Sequence, residues 1–94
     1  MILFSEEAAL DLERLRQFLE DKSPQATRRC LTAIWTAIER LEDFPKLGAP
    51  KGDAGIRQLV IRHGASAYIV RYAILAENQE ILILRVWRGR EARF

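Results

Sequence analysis

The sequence predicts an α+β domain in which a helical hairpin is joined to antiparallel strands. Two amphipathic segments at helical spacing fill residues 6 to about 41. Three runs rich in β-branched and aromatic residues follow, each parted from the next by four residues. Connections that short force neighbouring strands to run antiparallel. With 94 residues, the chain is expected to form a single domain over 1–94 around one core.

Residues 1–4 are an apolar run too short for a helix and suited to a strand. Ser5 can cap the next segment, with Glu6 and Glu7 set favourably against the positive end of a helix dipole. Ala8, Leu12, Leu15 and Leu19 then recur at helical spacing, while Asp11, Glu13, Arg14, Arg16 and Gln17 fill much of the remainder, which predicts a helix to about residue 21. "KSPQAT" supplies a break and a restart, since Ser23 is a good cap and Pro24 is tolerated at the first helical position. The second helix is expected to bury Cys30, Ile34, Ala37, Ile38 and Leu41 and to lie nearly antiparallel to the first. "FPKLGAPKGDAG" is the one long loop. Strands are predicted at 56–62, 67–75 and 80–87, with turns at "HGAS" and "AENQ".

Alternation places Leu82, Leu84 and Val86 on one face of the last strand and Ile81, Ile83, Arg85 and Trp87 on the other. In the middle strand, Ile69, Ala73 and Leu75 oppose Tyr68, Val70, Tyr72 and Ile74. Both faces are too apolar for a sheet wetted on one side, yet a helical hairpin covers only one of them. The other is expected to form an apolar trough edged with arginine, suited to a partner or to self-association as a homodimer.

Charge divides unevenly along the chain. Residues 1–55 carry eight Lys or Arg against ten Asp or Glu, a net of −2; residues 56–94 carry seven against three, a net of +4. All seven bases of the second part are arginine, whose planar fork suits phosphate or carboxylate. A surface for an acidic partner and a plain solvated basic face both fit this pattern. No apolar run approaches the roughly 20 residues that span a bilayer, and acidic residues directly follow the first apolar ones, so a cytoplasmic chain without membrane contact is expected. The single Cys30, which cannot form an internal disulfide, agrees.

Conventional enzyme chemistry finds little support. His63 stands alone and reads as a solvated turn residue, Cys30 reads as core, and neither predicts a metal site. Ser5, Ser23 and Ser66 lack a nucleophile elbow, and "GAPKGDAG" lacks phosphate-loop spacing, so no cofactor is expected. The carboxylates read mostly as solvated or i, i+4 paired on helix faces. What remains is an arginine and aromatic set: Arg57, Arg62, Tyr68, Arg71, Tyr72, Arg85, Trp87, Arg88 and Arg90. Such groups can hold phosphates and stack bases, or grip the acids of a protein.

"SEEAALDLERLRQFLEDKSPQATRRC", "LEDFPKLGAPKGDAGIRQL", "YIVRYAI" and "EILILRVWRGRE", in that order and spacing, resemble a RelE/ParE-family toxin of a type II toxin-antitoxin system. The resemblance covers Ser5 to about Arg90. It implies a helical hairpin packed on a twisted antiparallel sheet of three to four strands. It also implies a cognate antitoxin laid across the toxin in a hetero-oligomeric complex, and a functional rim at the end of the last strand. RelE-like members cut mRNA on the ribosome; ParE-like members poison DNA gyrase. The loop and "GIRQL" are closer to the ParE-like pattern, and Arg88 stands where many relatives have a histidine. An arginine stabilises charge but is a poor general base. The resemblance therefore implies a gyrase-directed toxin whose target- and antitoxin-binding residues are Arg57, Arg71, Arg85, Trp87, Arg88 and Arg90. A ribosome-dependent endonuclease is the alternative, with Arg90, Arg88, Tyr68 and Arg57 as its catalytic candidates, and a harmless binding module is the third reading.

Overall fold

The structure is a computed structural model that describes residues 1–52, 55–75 and 80–90. Its elements are, in chain order, β1 (Ile2–Phe4), α1 (Glu6–Glu20), α2 (Pro24–Glu39), β2 (Ala49–Pro50), β3 (Ile56–His63), β4 (Ser66–Leu75) and β5 (Glu80–Arg88); a 3-10 turn, Arg40–Glu42, ends the helical hairpin. They form one sheet ordered β1-β5-β4-β3-β2 with the helices packed against it.

The sheet has five strands and is mixed, where three to four antiparallel strands were expected. β1 runs parallel to β5, from Ile2 opposite Ile81 to Phe4 opposite Ile83. No short turn links β1 to a neighbour, so loop length carried no information about its direction. β2 is a two-residue strand inside the proline and glycine loop, pairing Ala49 with Gln58 and Pro50 with Arg57. It lies at the sheet's outer edge, where proline's missing N–H breaks no ladder.

Both helices begin at the expected caps. The Ser5 hydroxyl accepts from the Ala8 N–H at 3.0 Å and donates to the Leu84 carbonyl at 2.9 Å. Its own N–H reaches the Ile83 carbonyl at 2.9 Å, so one residue both starts α1 and ties it to β5. Ser23 accepts from the Ala26 N–H at 3.2 Å, with Pro24 at the first helical position.

Leu15, Leu19, Cys30, Ile34, Ile38 and Leu41 meet Val70, Tyr72, Ile81, Ile83 and Val86 in the core. In β4 the expected alternation holds: Tyr68, Val70 and Tyr72 are buried toward the helices, and the residues between them are only half-buried.

β5 departs from the expected alternation. The ladder slips between Arg71, opposite Arg85, and Tyr72, opposite Ile83, which leaves Leu84 as an extra residue. The bulge brings Val86 into the core with Ile81 and Ile83, while Leu82 stays outside it. Period-two reasoning from one strand cannot register such an insertion.

The face turned away from the helices carries Ile69, Ala73 and Leu82, half-buried and outside the core, with Val60 exposed. Among the described residues, no helix is long and apolar enough to cross a membrane.

Candidate functional site

The rim lies where β4 begins and β5 ends. Arg88 sits opposite Tyr68, and the Gly89 N–H donates to the Ala67 carbonyl at 2.8 Å, which closes this end of the sheet. Ala65, Ser66, Ala67, Arg88, Gly89 and Arg90 line a shallow hollow of about 230 Å3. The Arg88 guanidinium lies 4.6 Å from the centre of the Phe18 ring on α1, and the Lys22 ammonium lies 4.9 Å from the same ring. An aromatic face attracts cations through its quadrupole, so Phe18 gathers positive charge beside the strand end. Arg90 is exposed. Arg88 and Arg90 are thus brought together at one anion-attracting edge.

His63 belongs to the same end of the sheet. It pairs with Ser66 across the β3–β4 turn, and Ser66 lines the hollow. Sequence reasoning placed it in a turn and missed this neighbourhood; the signal available was the four-residue hairpin, which forces positions 63 and 66 to oppose each other.

Tyr68 lies beneath the rim, bonded to Ser66 and near Arg88, and is not on its surface. Its side chain belongs to the core and is 3% exposed. Burial, then its interaction with Cys30, pushes its phenol up to about 12. A phenol raised this far and 3% exposed is poorly placed to carry protons to a substrate at neutral pH.

Arg57 and Tyr72 are turned to holding the loop. The Tyr72 hydroxyl donates to the Pro45 carbonyl at 2.7 Å and accepts from the Gly48 N–H at 2.9 Å. Arg57 Nη1 donates to the Gly48 carbonyl at 2.6 Å and reaches the Lys46 carbonyl at 3.4 Å. Gly48 is packed so closely that an added Cβ would stand 2.8 Å from both the Gln58 carbonyl oxygen and Tyr72 Cε1. Tyr72, a stacking candidate by sequence, is a fully buried strut.

Arg85 has a carboxylate of its own. Asp11, on α1, is 2% exposed and accepts from Arg85 Nε at 2.9 Å, from Arg85 Nη2 at 3.2 Å and from Arg14 Nη1 at 3.0 Å. It also accepts the backbone N–H of Val86 at 2.9 Å. β1 stops at Phe4, opposite Ile83, so the carboxylate completes the β5 edge where its strand partner has ended. Burial alone would raise this carboxyl's pKa, but the bonds from Arg85, Val86 and Arg14 outweigh that effect and hold it below the ordinary carboxylate value. Asp11 was read from sequence as helix-surface filler. The sign of its burial was its place three residues after Ala8 and four before Leu15, on the apolar stripe.

Arg71 lies in mid-sheet. It is half-buried, donates Nε at 3.3 Å and Nη2 at 3.1 Å to Gln58 Oε1 on β3, and sits 5.1 Å from the centre of the Trp87 ring on β5. Trp87 is 3% exposed yet stands outside the helix-side core, as a ring on the other face of the sheet does.

The predicted set therefore divides into Arg88 and Arg90 at the rim, Arg71 and Trp87 in mid-sheet, Arg85 on Asp11, and Arg57 at the loop. Among the described residues, no group of three or more His, Cys, Asp or Glu is placed to hold a metal ion.

Comparison with known proteins agrees with this architecture. The chain is similar to Toxin RelE1 of Caulobacter vibrioides, 32% identical over 92 residues that span 98% of this chain and 96% of that protein. It is also similar to Toxin RelE3 of the same organism, 29% identical over 86 residues, 92% of this chain and 90% of that protein. A solved structure described as a chromosomal ParDE TA system from P. aeruginosa shares the fold, with a TM-score of 0.72 at 20% identity over 93% of this chain and 92% of that one. Residues 2–93 match the family described as ParE toxin of type II toxin-antitoxin system, parDE. A match over nearly the whole chain, joined to two helices on a five-stranded sheet, means that the chain belongs to the ParE toxin family of type II toxin-antitoxin systems.

Proposed function

We propose that this toxin arrests growth by acting on DNA gyrase through the rim of Arg88 and Arg90, and that its cognate antitoxin neutralises it by covering the open face of the sheet. The observation that carries the reading is the chemistry of the rim. Its cations are guanidinium groups, which bind and orient anions but do not take up protons at neutral pH, and the one tyrosine of the catalytic set is sealed in the core. Such an edge is suited to gripping a macromolecule.

The test is DNA supercoiling by purified gyrase in the presence of the full-length toxin. The expected result is loss of supercoiling as toxin is added. Unaffected supercoiling, together with discrete cuts in ribosome-bound mRNA, would reverse the assignment.

One observation favours a ribosome-dependent endonuclease as the second reading. His63 opposes Ser66, which lines the hollow with both arginines, and histidine is the side chain best suited to proton transfer near neutral pH. On that reading, mRNA cuts would vanish in His63→Ala.

A further inference from the structure

The geometry points to Arg71 as the receptor for a single carboxylate of the cognate antitoxin, carried on an apolar segment of that partner laid across the open face of the sheet. This deepens the neutralisation surface proposed above and rests on that part of the reading, independently of which target the toxin attacks.

Arg71 and Arg85 stand opposite each other on β4 and β5. Like charges in that register repel unless something neutralises them. Arg85 has its counterion in Asp11, a nearly fully buried carboxylate on α1. For Arg71, among the described residues, no carboxylate lies within ion-pair distance; its partners are the Gln58 amide oxygen and the Trp87 ring. A half-buried cation in an apolar setting is costly until a counterion reaches it. Among the described residues, the fold supplies that counterion to one arginine of the pair and none to the other.

Arg71 is also held ready for it. Gln58 takes Nε and one N–H of Nη2, and the Trp87 ring centre lies 5.1 Å from the guanidinium carbon. The terminal Nη1 and Nη2 hydrogens, the pair that a carboxylate grips with both oxygens, are directed elsewhere than Gln58. Fixing a guanidinium before the partner arrives removes ordering entropy from the binding step.

The surroundings choose the partner's chemistry. Ile69, Ala73, Leu82 and Val60 lie on this side of the sheet, outside the helix-side core, and Val60 is 52% exposed. A sugar-phosphate backbone would lay a row of charges over these side chains and strip them of water. A peptide places apolar side chains there and brings one acid to the one arginine. Charge complementarity at the larger scale agrees, because residues 56–94 carry a net +4 and a partner of net negative charge is drawn to them.

The test follows dissociation of the full-length toxin and its co-purified antitoxin by exchange against labelled antitoxin, for wild type, Arg71→Met and Arg71→Lys, with circular dichroism as the folding control. Arg71→Met should speed dissociation by about 30-fold or more, because the partner's acid then loses its counterion. Arg71→Lys, which keeps the charge and loses the fork, should fall between the two. If Arg71→Met is misfolded, the lysine variant decides alone: exchange within threefold of wild type overturns the inference. Exchange within threefold for a folded Arg71→Met overturns it as well, including the case in which that variant has lost action on gyrase, which would assign Arg71 to the target. If gyrase proves indifferent to the wild-type toxin while the exchange rates shift as stated, the target reading falls and this one stands.

Discussion

The Asp11 carboxylate on the first helix accepts a hydrogen bond from Arg85 Nε at 2.9 Å, seventy-four positions along the chain, and clamps that helix onto the end of the last strand. The same carboxylate takes the Val86 N–H at 2.9 Å. It therefore fixes the strand just before the rim that carries Arg88 and Arg90.

This clamp gives stability a defined dependence on pH. Hydrogen bonds hold the folded Asp11 carboxyl below its ordinary value, so its contribution is fully present above about pH 4 and is lost as pH falls through the lower, folded-state value. Asp11→Asn should cost about 2 kcal/mol at pH 7, since it leaves the Arg85 side chain without its counterion. Urea unfolding from pH 7 to pH 2 checks both points: the variant starts weaker and loses less on acidification. An identical acid response in the two proteins would remove Asp11 from this role.

The loop before the third strand is expected to be pinned by side chains of the sheet, Tyr72 on β4 and Arg57 on β3. Tyr72→Phe removes the bonds to Pro45 and Gly48 and should cost about 1–2 kcal/mol. Gly48→Ala should cost at least as much, because the new methyl meets backbone at the Gln58 carbonyl as well as the Tyr72 ring. Thermal melts measure both. A neutral Gly48→Ala would mean that the loop is held less tightly than the distances require.

Toxicity should separate the rim from the buried phenol. Tyr68→Phe retains the ring in the core, and induced expression of that variant should arrest growth as wild type does. Arg88→Ala combined with Arg90→Ala should raise the concentration needed for inhibition about tenfold or more, at the scale of losing one or two charge-assisted contacts. Colony counts after induction report the outcome. Lost toxicity in Tyr68→Phe with a fully active double variant would exchange their roles.

Much of the fold was legible in the chain because its signals are local. Ser5 and Ser23 mark helix starts by accepting backbone N–H groups, and connections of only four residues predict the antiparallel order that the three long strands show, although the second expected turn, 76–79, lies outside the described residues. Features that depend on distant contacts were not legible. The bulge at Leu84 appears only against the partner strand, and the parallel pairing of Ile2 with Ile81 joins residues that no short turn connects. The same division holds in the site. The shared position of Arg88 and Arg90 was legible because they stand at and just past the end of the last strand. Asp11 could not be read as the partner of Arg85, because a carboxylate on a helix is solvated unless something far along the chain comes to meet it.

Gyrase supercoiling tests the central claim most directly, with wild-type toxin and the Arg88→Ala, Arg90→Ala double variant titrated side by side. The account predicts that wild type abolishes supercoiling and that the double variant needs about ten times more protein or fails. Equal potency of the two proteins, or supercoiling that neither disturbs, would contradict it.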